Sequence, residues 1–200
     1  MTRSQRTLLV LVQGFLFTLA LVLLIYLLFN PDFYRLGHVI ASLFLPFLPN
    51  LIHAVSKVKI SFHMQLVYFV FLFVSLFLGA DFEFYAKVPH FDKLMHFVSG
   101  ALSAVLAWYI IKLFKADKTN QVFRVLFIIC FSVTIAVVWE FLEFACDKLL
   151  GASMQQLTQV GVDDTMFDML AASIGALAGT AILVYCAKPI EQFFLGTHKE

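Results

Sequence analysis

Charge is the scarcest commodity in this chain. Only 14% of its 200 residues are Asp, Glu, Lys or Arg, and 62% are hydrophobic; a soluble domain has about 25% and about 45–50%. A water-soluble core cannot absorb that excess, so an integral membrane protein is expected. A net charge of +1 without a long basic run argues against nucleic acid as a partner. Cysteine is sparse as well. Cys130, Cys146 and Cys186 are odd in number and scattered, with no Cys-x-x-Cys pair, which excludes a disulfide framework and leaves small apolar fillers. Low-complexity segments and internal repeats are missing. The longest connection, about 147–163, is too short for a soluble domain; its LLGASMQQL stretch, 149–157, is expected to form a short interfacial helix. No small-residue cleavage site follows the apolar run 8–29, so that run reads as an uncleaved transmembrane helix and not as a signal peptide.

What is there is a series of apolar runs. A spanning helix needs about 20 apolar residues. Six runs qualify, predicting one all-α membrane domain, 1–200, with helices at about 8–29, 36–56, 60–80, 93–114, 124–146 and 164–187. The second carries Pro46 and Pro49 and should kink or break there; a re-entrant segment at this point would reverse everything downstream. With the N-terminus inside, the inner segments hold Arg3, Arg6, Lys57, Lys59, Lys112, Lys115, Lys118, Arg124, Lys188 and Lys199, and the outer ones Arg35, Lys87, Lys93 and Lys148. That bias predicts both termini in the cytoplasm, in a multi-pass protein of the cell membrane.

Acids distribute the other way. Most fall on the outer side or in the outer half of a helix, and Glu140 is the most telling of them. The uncharged run before it, 125–139, rises about 22 Å, while the hydrocarbon core is about 30 Å thick. Glu140 therefore lies inside the membrane, where an acid costs up to roughly 2.5–3.5 kcal/mol and needs a partner. Glu143 and Asp147 follow along its helix in WEFLEFACD.

Two other helices share the design. In HFDKLMHFVSGALSA, Asp92 and His96 lie four apart, and Gly100 and Ala104 continue the stripe. In VDDTMFDMLAASIGALAGT, Asp164 and Asp168 lie four apart, followed by Ala171, Ala172 and the Gly175/Gly179 pair. Small residues let membrane helices approach closely. If these stripes pack together, the acids converge into an outward-opening carboxylate pocket of Asp92, His96, Glu140, Glu143, Asp164 and Asp168, with Asp81, Glu83, His90, Lys93, Asp147 and Asp163 at its rim. Bland roles compete with this reading. Asp92 and Asp164 stand where helix N-caps belong, Asp163 suits a turn, His96 or Glu140 could serve structural hydrogen bonds, and Trp139 and Tyr85 suit the membrane interface. His38, His53, His63 and His198 have no acid at ligand spacing.

FDKLMHFVSG, then WEFLEF, then GVDDTMFDMLAASIGALAG resemble the YjdF-like inner-membrane proteins over about residues 81–180. More distantly, the Asp-Lys-x-x-His-Phe signature at a helix start resembles the VanZ-like proteins. The matching polar positions are Asp92, His96, Glu140, Glu143, Asp164 and Asp168. Many members place Gly-Asp and then Trp-Asp before the last helix; here Gly161-Val162-Asp163-Asp164 and Phe167-Asp168 stand instead. The resemblance transfers no reaction, and the association of VanZ-like proteins with glycopeptide tolerance points to the cell envelope.

Three function classes follow. In a metal-dependent enzyme, Asp92, His96, Glu140 and Asp168 would hold a divalent ion, with Glu143 or Asp164 as base. It would act on a membrane lipid or a lipid-linked envelope molecule, and Lys93 is best placed to meet an anion. A proton or ion transporter would use the acids as a relay, although the inner halves of these helices offer only hydroxyls such as Ser132, Thr134 and Thr180. A non-catalytic envelope accessory protein would use the cluster to hold the bundle together.

Overall fold

The computed structural model describes residues 1–150 and 162–195, and all regular structure among them is helical. Six helices are long and apolar enough to cross a membrane, at Arg3–Phe29, Arg35–Ser56, Phe62–Asp81, Phe91–Leu113, Gln121–Leu149 and Val162–Tyr185. Each expected run is recovered, most of them a few residues longer than the uncharged stretch that signalled it. Large apolar side chains such as Phe29, Phe44, Phe141 and Leu149 lie exposed on these helices, as lipid-facing residues do. The LLGASMQQL segment beyond residue 150 falls outside the described residues. By packing, the chain forms two compact units, Met1–Lys87 with the segment from Glu191, and Val88–Ile190.

The first unit starts with α1 (Arg3–Phe29), whose N-terminus carries a capping box between Thr2 and Gln5. α2 (Phe33–Phe44) gives way to a 3₁₀ turn (Leu45–Phe47) and then α3 (Leu48–Ser56), each new start carrying a proline in its first turn. Pro46 and Pro49 thus break the second run as expected. Backbone carbonyls freed inside a membrane must find donors. Gln13 of α1 donates Nε2–H to the Pro46 carbonyl and to Asn50 Oδ1, each at 2.7 Å, and the Tyr68 hydroxyl donates to Leu45 O at 2.8 Å. α4 (Phe62–Leu72), capped by Ser61, passes into a π-helix, Phe73–Asp81. Leu9, Leu16 and Ala20 pack there against Phe69, Leu72, Leu76 and Phe77. A short α5 (Phe84–Lys87) follows, and its Tyr85 ring lies against Gly79, where a Cβ would stand 2.5 Å from the ring.

In the second unit α6 (Phe91–Leu113) and α8 (Val162–Tyr185) run parallel, with α7 (Gln121–Leu150) antiparallel to both. The small stripes meet as the spacing suggests, and the contact is backbone on backbone. A Cβ on Gly100 would fall 1.9 Å from Ala172 O, and one on Gly175 would fall 1.9 Å from Phe97 O; Gly179 faces Ala101 and Ala104. Away from the acids, Ala104, Ala107, Ile111, Ile128 and Leu183 form the core. At this opposite end Trp108 receives Lys112 (5.1 Å) and Arg124 (5.6 Å) over its ring. Asp92 and Lys112 are twenty residues apart on α6, about 30 Å of helix, which is one hydrocarbon thickness. α9 (Ala187–Leu195) follows α8.

Candidate functional site

α6 begins one residue before Asp92. Its cap is His90, exposed and left-handed (φ 60°), which donates no side-chain cap bond. α8 likewise begins before Asp163 and Asp164. Asp92 and Asp164 are therefore not caps. They lie in the first turns, where carboxylates still meet the positive end of the helix dipole and point sideways into the bundle. Asp168 and His96 follow one turn deeper, and both are buried. Depth brings α7 into register. His96 lies sixteen residues before Lys112 and Glu140 sixteen after Arg124, so both sit about 24 Å from the basic end, and they face each other.

The sequence-predicted residues are brought together around two nitrogens. The Lys93 ammonium lies 3.1 Å from Asp92 Oδ2, 2.6 Å from Asp164 Oδ1 and 2.8 Å from Asp168 Oδ1. His96 Nε2 lies 3.6 Å from Asp92 Oδ1 and 3.7 Å from Asp168 Oδ1, while Nδ1, on the far side of the ring, lies 3.9 Å from Glu140 Oε1. Asp92, His96 and Asp168 can each offer a ligand atom within 4.8 Å of the others. Glu140 is 4% exposed and neither of its oxygens has a well-directed hydrogen-bond donor, although Thr165 lies alongside. Asp168 Oδ1 is also buried without a directed donor, despite its nearness to Lys93. Three carboxyl groups thus face one ammonium, with Glu140 on the other side of the imidazole.

Glu143 accepts a 2.7 Å hydrogen bond from Trp139 Nε1 on its own helix. Asp163 is exposed in the first turn of α8, and Asp147 is partly exposed on α7. The Lys148 ammonium sits over the Phe144 ring at 5.7 Å. Asp81 and Glu83 belong to the first unit. Asp81 ends the π-helix with both oxygens buried and undonated. Glu83, left-handed at φ 64°, is bonded by Arg35 and by Lys87 (2.6 Å), whose charges hold its carboxyl below the usual range. Two roles escaped sequence reasoning. Lys93 is central and not at the rim, a position its adjacency to Asp92 left open. Trp139 is the partner of Glu143, and the four-residue spacing between them was the available signal.

Six spanning helices with a carboxylate–histidine–lysine cluster near one end of the second unit define a multi-pass membrane protein. The chain belongs to the family described as "Predicted membrane protein (DUF2238)", which matches residues 12–189. It is 30% identical over 149 residues to an uncharacterized protein of Thermotoga maritima, covering 74% of each chain. No solved structure matches it.

Proposed function

We propose that the second unit is a metal-dependent enzyme of the cell membrane, acting at the outer face on a lipid or lipid-linked envelope substrate. One observation carries this reading: His96 Nε2 stands 3.6 and 3.7 Å from carboxylate oxygens on two different helices. Ligands bound at about 2.1 Å to a tetrahedral ion are about 3.4 Å apart, so Asp92, His96 and Asp168 need little movement to hold one. Carboxyl groups outnumber cations in the cluster, and carboxylate and imidazole together are donors that suit a divalent ion. The metal would supply a water activated at neutral pH. Glu140 then acts through His96, on the Nδ1 side, orienting the imidazole as metal-bound histidines commonly require. Of the two carboxylates suited to the base, Asp164 is engaged by Lys93, which leaves Glu143, held by Trp139.

The resemblance to YjdF-like proteins, and at longer range to VanZ-like proteins, belongs to this reading and favours the cell envelope. So does the basic bias of the 112–124 connection, which argues for a cytoplasmic location; a reporter fused after Lys118 is expected to stay cytoplasmic. A transport role is less well supported. Ser132, Thr134 and Thr180 spend their hydroxyls on carbonyls of their own helices (2.8, 2.8 and 2.6 Å), so they extend no relay inward. The accessory reading draws on the Lys93 pairs, which alone could hold α6 to α8.

Metal content separates these readings. Purified protein loaded with Mn²⁺ or Zn²⁺ should retain about one ion per chain, the stoichiometry of a single His-carboxylate site. His96→Ala should abolish retention, and Glu140→Gln should weaken it about 10–100-fold. Absence of bound metal under every loading condition ends the enzyme reading in favour of the accessory one.

A further inference from the structure

Asp168 Oδ1 serves two neighbours at once. It lies 2.8 Å from Lys93 Nζ and 3.7 Å from His96 Nε2. Asp92 instead divides its oxygens, Oδ2 toward Lys93 and Oδ1 toward His96. An ion bound at His96 would therefore draw on the two carboxylates that hold the lysine. Asp164, at 2.6 Å, is the only one of the three aspartates facing Lys93 that is outside the His96 triad. The lysine side chain is 29% exposed, against 3% for Asp168 and 9% for His96, so its freedom to swing lies toward the open side.

Resting on the metal reading above, we propose that Lys93 is a resident counter-ion which a metal displaces from Asp168 Oδ1, and that the displaced ammonium, still tethered by Asp164 and Asp92 Oδ2, anchors a phosphate-type anion beside the metal. The charges favour the exchange at the one shared oxygen. A divalent ion and an ammonium both drawing on Asp168 Oδ1 repel each other at such separations. Once displaced, the ammonium is a strongly hydrated point charge on a flexible stem, which suits a phosphate approaching from the aqueous side. Among the described residues it is the only lysine or arginine paired with these aspartates. Metal and anion would then bind with reciprocal cooperativity.

The test uses the full-length protein in a phosphorus-free detergent, with Mn²⁺ as probe. Three additions are compared: none, methyl phosphate, and phosphatidic acid in mixed micelles. In wild type, one of the two phosphates should tighten Mn²⁺ binding, and its ³¹P resonance should broaden through the bound ion. Methyl phosphate alone doing so identifies a soluble phosphate; phosphatidic acid alone identifies a lipid headgroup. Lys93→Met should bind Mn²⁺ about tenfold more tightly without anion, having lost a charge-assisted competitor, and should lose the phosphate response. Lys148→Met, which removes the same charge from the Phe144 ring, should change neither. Wild type that binds Mn²⁺ yet broadens neither ³¹P resonance overturns the anchor, a result independent of whether any variant folds. Equal Mn²⁺ affinity in wild type and Lys93→Met overturns the displacement. If neither protein binds Mn²⁺, the metal reading itself fails and takes this inference with it.

Discussion

In the first unit α1 meets its neighbours through Leu9, Leu16, Phe69 and Phe77, and Gly14 has nothing within 4 Å of the place a Cβ would take. In the second unit Gly100 and Gly175 press against carbonyl oxygens, so close that a Cβ would stand 1.9 Å away. Both units use apolar helices, yet the one with the polar cluster has the main chains in contact. Lipid tails are as apolar as leucine, so helices in a membrane gain little from burying leucine alone. Close van der Waals contact between main chains is available only where side chains are absent. That contact also opposes the repulsion of Asp92, Asp164 and Asp168 gathered above it. The first unit, with fewer charges to confine, tolerates bulkier and looser packing.

The comparison breaks most directly at the glycines. Gly100→Leu or Gly175→Leu should force α6 from α8 and cost more than about 3 kcal/mol, read as loss of a cooperative thermal transition in detergent. Gly14→Ala should be neutral or stabilising by up to about 1 kcal/mol; a large loss there would erase the distinction. Next comes Gln13→Leu. It strips the donor from the Pro46 carbonyl and should cost about 1–3 kcal/mol, showing that the first unit also depends on one polar contact. The smallest effect concerns the end of the second unit away from the acids. Lys112 bonds Asp117 at 3.3 Å and, with Lys118, holds its carboxyl below the usual value. A lowered carboxyl stabilises the fold above its ordinary pKa and loses that contribution as pH falls through the shifted one. The difference in melting temperature between wild type and Asp117→Asn should therefore be small near neutrality and vanish in acid.

Much of this was legible in the sequence because membranes impose length. Six spans follow from residue counts and rise per residue, and the break at Pro46 from the backbone donor that proline lacks. Convergence of Asp92, His96, Glu140, Asp164 and Asp168 followed from placing acids above small-residue stripes. What escaped was set by tertiary contact. The π-helix of Phe73–Asp81 has no marker in its apolar run, since neither glycine nor proline stands at its start. The start of α6 at Phe91 depends on His90 adopting a left-handed conformation that single-residue preferences do not favour. Lys93 was placed at the rim, whereas three carboxyl groups fix where its flexible stem ends.

Gly100 and Gly175 have one more implication, in the language of machine tolerances. A side chain that fits poorly can rotate about its χ bonds and take up slack; a carbonyl seated on a glycine Cα has no such joint. The spacing of α6 from α8 is thus a zero-clearance fit, and the groups mounted above it inherit that precision. Swapping lipids for thicker or thinner ones should tilt the pair as a single part before it alters the gap between Asp92 and Asp168.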